Sequence, residues 1–133
     1  MYHQTQVIGN VGKAPEMRYT PSGTAVTNFS LAVNEQFKTA NGEQVKRTIW
    51  YRVTTFGKQA EVVNQYVKKG MLVFVSGRMT ADPDTGGPKI WNKQDGTPAA
   101  SFELNAHEVK FLSRVNDEAH SDPATADEEP MPF

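Results

Sequence analysis

Only one stretch of the 133 residues carries an apolar repeat at helical spacing, and it interrupts stretches that repeat every second residue. In Lys58–Lys69, Val62 and Tyr66 pair four apart, as do Val63 and Val67, so each pair shares one face of a helix. Tyr66 is expected in the core, and Gly70 stands where a helix commonly stops. Three strands are expected before this helix. Val7–Val11 is short. In the second, Ala25, Thr27, Phe29, Leu31 and Val33 share one face, with Asn28, Ser30 and Asn34 opposite. The third runs from Arg47 to Phe56. After the helix, Met71–Met79 is apolar almost without break up to Ser76 and is expected to be buried on both faces. The last strand begins at Ser101 with Phe102, Leu104 and Ala106 in phase; Val109 and Phe111 fall out of phase, which predicts a bulge near His107-Glu108.

Three strands, a helix and two strands is the order of an all-β, five-stranded Greek-key barrel of the oligonucleotide-binding (OB) type, with its helix between strands 3 and 4. The connections fit that order. Pro21-Ser22-Gly23 is a turn. Residues 35–46 are polar, with Asn41-Gly42 as a hairpin tip. Residues 80–100 hold two turn clusters, Asp82–Pro88 and Asp95–Pro98, around Lys89-Ile90-Trp91, which reads as a long ribbon or loop.

The net charge of −1 conceals a division. Residues 1–115 hold all 14 Lys and Arg against 9 acids, a net of +5, while residues 116–133 hold 6 acids and no base, a net of −6. The second segment has no branched aliphatic residue and cannot offset its ordering entropy by burial, so it is expected to be a disordered acidic tail on a domain spanning 1–115. A basic body with an acidic arm points to nucleic acid on one side and docking or regulation on the other. The tail ends in Asp127-Glu128-Glu129-Pro130-Met131-Pro132-Phe133. There Phe133 and its own carboxylate suit an apolar pocket beside a basic partner residue, while the alternative is a solubilising arm.

Several classes fall away. No cysteine is present for disulfides, thiolate metal sites or thiol nucleophiles. No apolar run approaches the roughly 18 residues of a membrane span, and Met1–Gln6 has no signal-peptide character, so a cytoplasmic protein is expected. His3, His107 and His120 have no metal-ligand spacing. Gly9-Asn10-Val11-Gly12-Lys13 lacks the spacing and the Lys-Ser/Thr ending of a phosphate loop. Asp82, Asp84 and Asp95 sit in turns, where Asp serves the backbone. The expectation is no catalysis, no metal and no cofactor.

What remains is aromatic and basic. Alternation puts Trp50, Arg52, Thr54 and Phe56 on one face of the third strand, with Ile49, Tyr51 and Val53 on the other. Aromatic planes stack on bases without reading sequence, each worth roughly 1–3 kcal/mol; the alternative is that Trp50 and Phe56 are ordinary core residues. Phe37 and Trp91 lie in polar segments, where a large apolar ring has no evident core to enter. Lys46, Arg47, Arg52, Lys58, Arg78, Lys89 and Lys93 form a candidate phosphate stripe. Lys68 and Lys69 join it unless they serve the helix dipole.

The chain resembles the bacterial single-stranded DNA-binding protein family. The resemblance rests on Ile8-Gly9-Asn10-Val11-Gly12, Pro15-Glu16-Met17-Arg18-Tyr19, Trp50-Tyr51-Arg52-Val53, Phe56-Gly57-Lys58-Gln59-Ala60-Glu61, Tyr66-Val67-Lys68-Lys69-Gly70, Val75-Ser76-Gly77 and the Phe-ended tip. It implies an OB fold working as a homotetramer that wraps single-stranded DNA in replication, recombination and repair. It further implies base stacking at Phe37, Trp50, Phe56 and Trp91, and recruitment of replication, recombination and repair proteins by the tip. Subunit pairing would run through Thr5, Gln6, Val7 and Ile8, with Tyr51 at a contact where the family commonly has histidine. Phe37 stands where a tryptophan is common, and Pro130 where the family has an acid. Rival readings are an OB accessory protein for primosomes or RNA, an OB-fold nuclease, and an adaptor.

Overall fold

The computed structural model describes residues 1–112. Its elements are β1 (Thr5–Val11), β2 (Glu16–Tyr19), β3 (Ala25–Lys38), β4 (Gln44–Phe56), α1 (Gly57–Tyr66), β5 (Leu72–Met79), β6 (Ile90–Asn92), β7 (Pro98–Ala100) and β8 (Phe102–Phe111). The tail and its tip, Asp127–Phe133, lie outside the described residues.

Five strands close a barrel. The ladder runs β1-β5-β8-β4-β3, and β3 returns to β1 through Asn10↔Ala32 and Val11↔Leu31. Every barrel pairing is antiparallel except β4 with β8, which run parallel from Tyr51↔Phe102 to Thr54↔Asn105. This is the OB barrel expected from the element order. Its centre is Val7, Val11, Phe29, Leu31, Val53, Val73, Val75 and Leu104, joined by Val63 and Val67 from around the helix. Each such side chain contributes roughly 1.5–3 kcal/mol by leaving water. The alternation read from β3 is the observed one: Ala25, Thr27, Phe29 and Leu31 are buried while Asn28 and Ser30 are half-exposed.

The helix closes the barrel's end with Ala60 and Val63, while Val67 follows just past its last turn. The buried hydroxyl of Thr27 donates to the Ala60 carbonyl at 2.7 Å, so a β3 polar group satisfies a helix carbonyl inside the core. The expected bulge is present: Ser76 faces Glu108 and Gly77 faces Ala106, leaving His107 as the extra residue of β8. The shift restores the inward phase, so Leu104 and Val109 both pack on the core. Gly77 makes it possible, since a Cβ there would meet the Asn105 carbonyl and lie 2.8 Å from Ala106 Cα.

Several expectations need correction. The helix ends at Tyr66, with Val67 already extended at φ −81°, ψ 130°. Gly70 (φ +90°) is not the helix stop but part of a separate turn closed by the Met71 N–H on the Lys68 carbonyl. Lys68 and Lys69 are therefore beyond the helix, and no basic residue sits in its last turn. Tyr66 is not core: it is 53% exposed, its ring 6.3 Å from that of Phe111. β5 is fully closed on one face only, because Leu72 and Phe74 point outward from the barrel and are half-buried. Phe102 was read in phase with the core but is 54% exposed, its ring 5.7 Å from Tyr51. The segment 35–46 is largely ladder rather than loop, pairing as far as Lys38↔Gln44. β2 was not read as a strand; it pairs with β3 from Glu16↔Asn28 to Tyr19↔Ala25.

Candidate nucleic-acid interface

The outward face of β4 settles one alternative. Trp50 is 52% exposed and Phe56 48%, while Val53 and Thr55 between them are fully buried. Pleating explains the split: the barrel claims one side of the strand, and the two rings stand on the other. They are not core residues.

Trp50 and Trp91, 41 positions apart in sequence, line one open groove of about 380 Å³. The β6–β7 ribbon brings Trp91 there, pairing Ile90↔Ala100 through Asn92↔Pro98. Arg52 and Lys13 supply positive charge in the same groove, Asn28 and Ser30 supply polar groups, and Glu16 is its one carboxylate. The indole of Trp50 lies against Gly12, where a Cβ would fall 2.5 Å from Cζ3 of the ring. Gly12 is itself held by its N–H to the Ser30 carbonyl at 2.9 Å. Lys13 and Gly12 were missed as site residues by sequence reasoning. The signal at Gly12 lay in the Ile8–Gly12 motif of the family resemblance, and that at Lys13 only in the phosphate-loop comparison.

The other two aromatics lie elsewhere. Phe37 pairs with Val45 on the hairpin that β3 and β4 extend past the barrel. By alternation it shares a ribbon face with Arg47 and not with Trp50. Phe37 is 41% exposed, and the Arg47 guanidinium carbon lies 4.8 Å from its ring centroid. Phe56 lines a separate cavity of about 720 Å³ with Arg78, His3 and His107. A third cavity, of about 400 Å³, joins the two ends: it shares Ser101 with the tryptophan groove, and His3, Met79 and Thr80 with the Phe56 cavity.

All nine cationic candidates are exposed. Arg47 pairs with Glu35 at 3.2 Å, and Lys89 approaches Glu103 at 3.9 Å. Lys46, Arg52, Lys58, Lys68, Lys69, Arg78 and Lys93 pair with no carboxylate among the described residues. The turn acids behave as turn acids. Asp82 accepts from the Asp84 N–H at 2.8 Å, and Asp95 accepts from the hydroxyl and N–H of Thr97 at 2.6 and 3.0 Å. Those two Thr97 bonds, the hydroxyl first, hold the Asp95 carboxyl below its ordinary value. No group of three or more metal-ligating side chains occurs among the described residues, and no helix there is long and apolar enough to cross a membrane.

The edge of β1 divides the expected subunit contact. Thr5 to Asn10 pair with β5 on one side, whereas β3 reaches only Asn10 and Val11 on the other. Thr5, Gln6 and Ile8 therefore lie on a strand edge with no ladder partner among the described residues. Val7 is a correction as far as its side chain goes, since that side chain is part of this barrel's own core. Tyr51 packs on the core of this barrel beside Phe102.

A fit to the Single-strand binding protein family spans residues 2–112. The chain is 38% identical over 117 residues to a single-stranded DNA-binding protein of Neisseria meningitidis serogroup A, covering 88% of this chain and 63% of that one. It is 34% identical over 112 residues to that of Helicobacter hepaticus, covering 84% and 62%. The chain thus spans about three-fifths of the length of these relatives. Among solved structures it superposes on a Plasmodium falciparum SSB complexed with ssDNA at TM-score 0.68 and 24% identity, covering 85% of this chain and 96% of that one. It also superposes on a deletion mutant of the Thermus aquaticus single-stranded DNA-binding protein at TM-score 0.66 and 31% identity, covering 83% and 50%.

Proposed function

The chain belongs to the Single-strand binding protein family, and from that premise we propose that it binds single-stranded DNA without reading its sequence. Bases stack on Phe37, Trp50, Phe56 and Trp91. The phosphates are met by Lys46, Arg47, Arg52, Lys58, Lys68, Lys69, Arg78, Lys89 and Lys93. The observation that carries this reading is the groove in which the exposed indoles of Trp50 and Trp91 lie beside Arg52 and Lys13. Rings that could have been buried are instead held open next to cations, the combination that binds a single strand. Four stacks sum to about 4–12 kcal/mol before the cost of ordering the strand is subtracted.

The proposal extends to the assembly. Residues 1–115 form the binding and oligomerisation domain, and four copies make a homotetramer. The backbone edge of Thr5, Gln6, Val7 and Ile8 supplies one contact, and Tyr51 lies at another. Residues 116–133 form an acidic arm whose tip, Asp127 to Phe133, recruits replication, recombination and repair proteins. The protein works in the cytoplasm on the nucleoid, holding DNA rather than catalysing a reaction on it.

Fluorescence anisotropy of labelled oligo-dT tests the binding reading. Binding is expected to tighten as salt falls, with a slope near −0.7 per phosphate neutralised. Duplex of the same length should compete weakly. No binding of oligo-dT at low salt would remove the proposal.

A further inference from the structure

The cavity beneath Phe56 holds two imidazoles, His3 and His107, that the DNA-binding reading leaves unassigned. Its lining also includes one guanidinium, Arg78, and no carboxylate among the described residues. The nearby acids are engaged elsewhere: Glu108 pairs with Lys110 at 3.4 Å, and Glu103, in the adjoining cavity, is the Lys89 partner. Arg78 has no ion pair among the described residues. The wall also holds the Thr80 hydroxyl, a buried group with no hydrogen-bond partner among the described residues.

The bulge gives this arrangement its cause. His107 is the residue β8 carries in excess opposite Ser76/Gly77, and bulges re-aim side chains at sites. Its backbone carbonyl accepts from Gln59 Nε2 at 3.2 Å, which fixes the bulge to the start of the helix, while its imidazole lines the cavity. His3 reaches the same place from the segment ahead of β1. That segment is tied down by Gln4, whose Nε2 donates to the Ser76 hydroxyl at 2.6 Å. Three independent segments thus converge basic side chains beside an exposed aromatic plane, and the cavity connects through His3, Met79 and Thr80 toward the tryptophan groove.

We propose that this cavity is a phosphodiester subsite: Arg78, His107 and His3 hold a backbone phosphate of the bound strand next to the base stacked on Phe56. The subsite rests on the single-stranded DNA reading and adds to it a fixed point beyond the tryptophan groove. Phosphate contacts of this kind set the position of a strand without reading its sequence.

The test uses the full chain and oligo-dT. The Arg78→Ala/His107→Ala variant should bind roughly tenfold more weakly. Its plot of log affinity against log salt should be shallower by about 0.7, the loss of one neutralised phosphate. Saturating quenching of Trp50 and Trp91 should stay at the wild-type level, because the tryptophan groove is untouched. Arg78→Lys should keep the wild-type slope. His3→Ala lies outside every ladder and cannot unfold the barrel, so its weaker binding, by a few-fold, serves as the check if the double variant misfolds. Imidazole resonances of His3 and His107 should move on adding oligo-dT and not on adding inorganic phosphate at equal phosphate concentration. Wild-type affinity and slope in the double variant or in His3→Ala, with normal quenching, would overturn the subsite and leave DNA binding intact. Equal response to inorganic phosphate would make it a free-anion site, also overturning the proposal. Failure of the unmodified protein to bind oligo-dT would remove the underlying reading instead.

Discussion

Replacing Gly12 by alanine should damage DNA binding while leaving the barrel folded. A Cβ at position 12 would lie 2.5 Å from Trp50 Cζ3, 2.9 Å from Cη2 and 3.2 Å from the Ser30 hydroxyl. Carbon atoms reach favourable contact near 3.5 Å, so the indole edge must retreat by about 1 Å. The backbone is the less yielding partner, because the Gly12 N–H is bonded to the Ser30 carbonyl and Val11 on its other side is buried. The ring, half-exposed, gives way. Losing a stack outright costs roughly 1–3 kcal/mol, and a displaced ring loses the lower end of that range, about 1 kcal/mol or fivefold in affinity. Anisotropy with oligo-dT reads the affinity, and intrinsic tryptophan emission reads the displaced ring directly. In a Trp50→Ala background the same Gly12→Ala change should have almost no further effect on binding, which a double-mutant cycle measures. A fivefold loss that persists without Trp50, or unchanged affinity and emission in the single variant, would refute the link between Gly12 and the stacking plane.

Other expectations concern the frame and the ribbon. Leu104→Ala removes a fully buried side chain at the barrel centre and should cost about 2–5 kcal/mol, lowering the thermal midpoint by about 10 °C or more. Thr27→Val removes the buried hydroxyl bond to the Ala60 carbonyl, which keeps its place in the helix ladder, and should cost about 1 kcal/mol in urea unfolding, with little change in DNA affinity. Asp95 should titrate below 3.8 by NMR. Because its folded value is depressed, the ribbon-tip bonds to Thr97 should persist above that ordinary value and be lost as pH falls through the folded one, seen as lost protection of the Thr97 amide.

The barrel was legible because burial writes itself into sequence. The inward row from Ala25 to Leu31 has period two, and the phase error between Ala106 and Val109 marks a real bulge. What stayed hidden is what burial does not record. Glu16–Tyr19 is a short outer strand with mostly exposed side chains, so no apolar face announces it. The hairpin between Asn34 and Lys46 is held by backbone bonds and by polar side-chain pairs such as Gln44 with Gln36, so no apolar period marks it as strand. Spacing places Tyr66 with Val62 and Phe102 with the buried Leu104, yet both rings stand about half exposed, because period alone does not say where along a strand or helix the barrel's cover ends. At the candidate site, Trp50, Phe56, Phe37 and Trp91 could be singled out one by one. Their grouping could not: Trp50 and Trp91 line one groove, while Phe37 and Phe56 stand apart. Only the fold shows that the β6–β7 ribbon returns Trp91 to β4, or that His3 and His107 share a cavity with Arg78.

The central claim is that the open face of β4, with the ribbon beside it, is where a single strand stacks. Tryptophan fluorescence titrated with oligo-dT tests it most directly, because Trp50 and Trp91 are the chain's only tryptophans and both line the groove. Strong saturable quenching is expected, weakening as salt rises and reduced but not abolished by either Trp50→Phe or Trp91→Phe. Binding of oligo-dT by anisotropy with no change in the emission of either tryptophan would contradict it, placing the strand on some other face of the barrel.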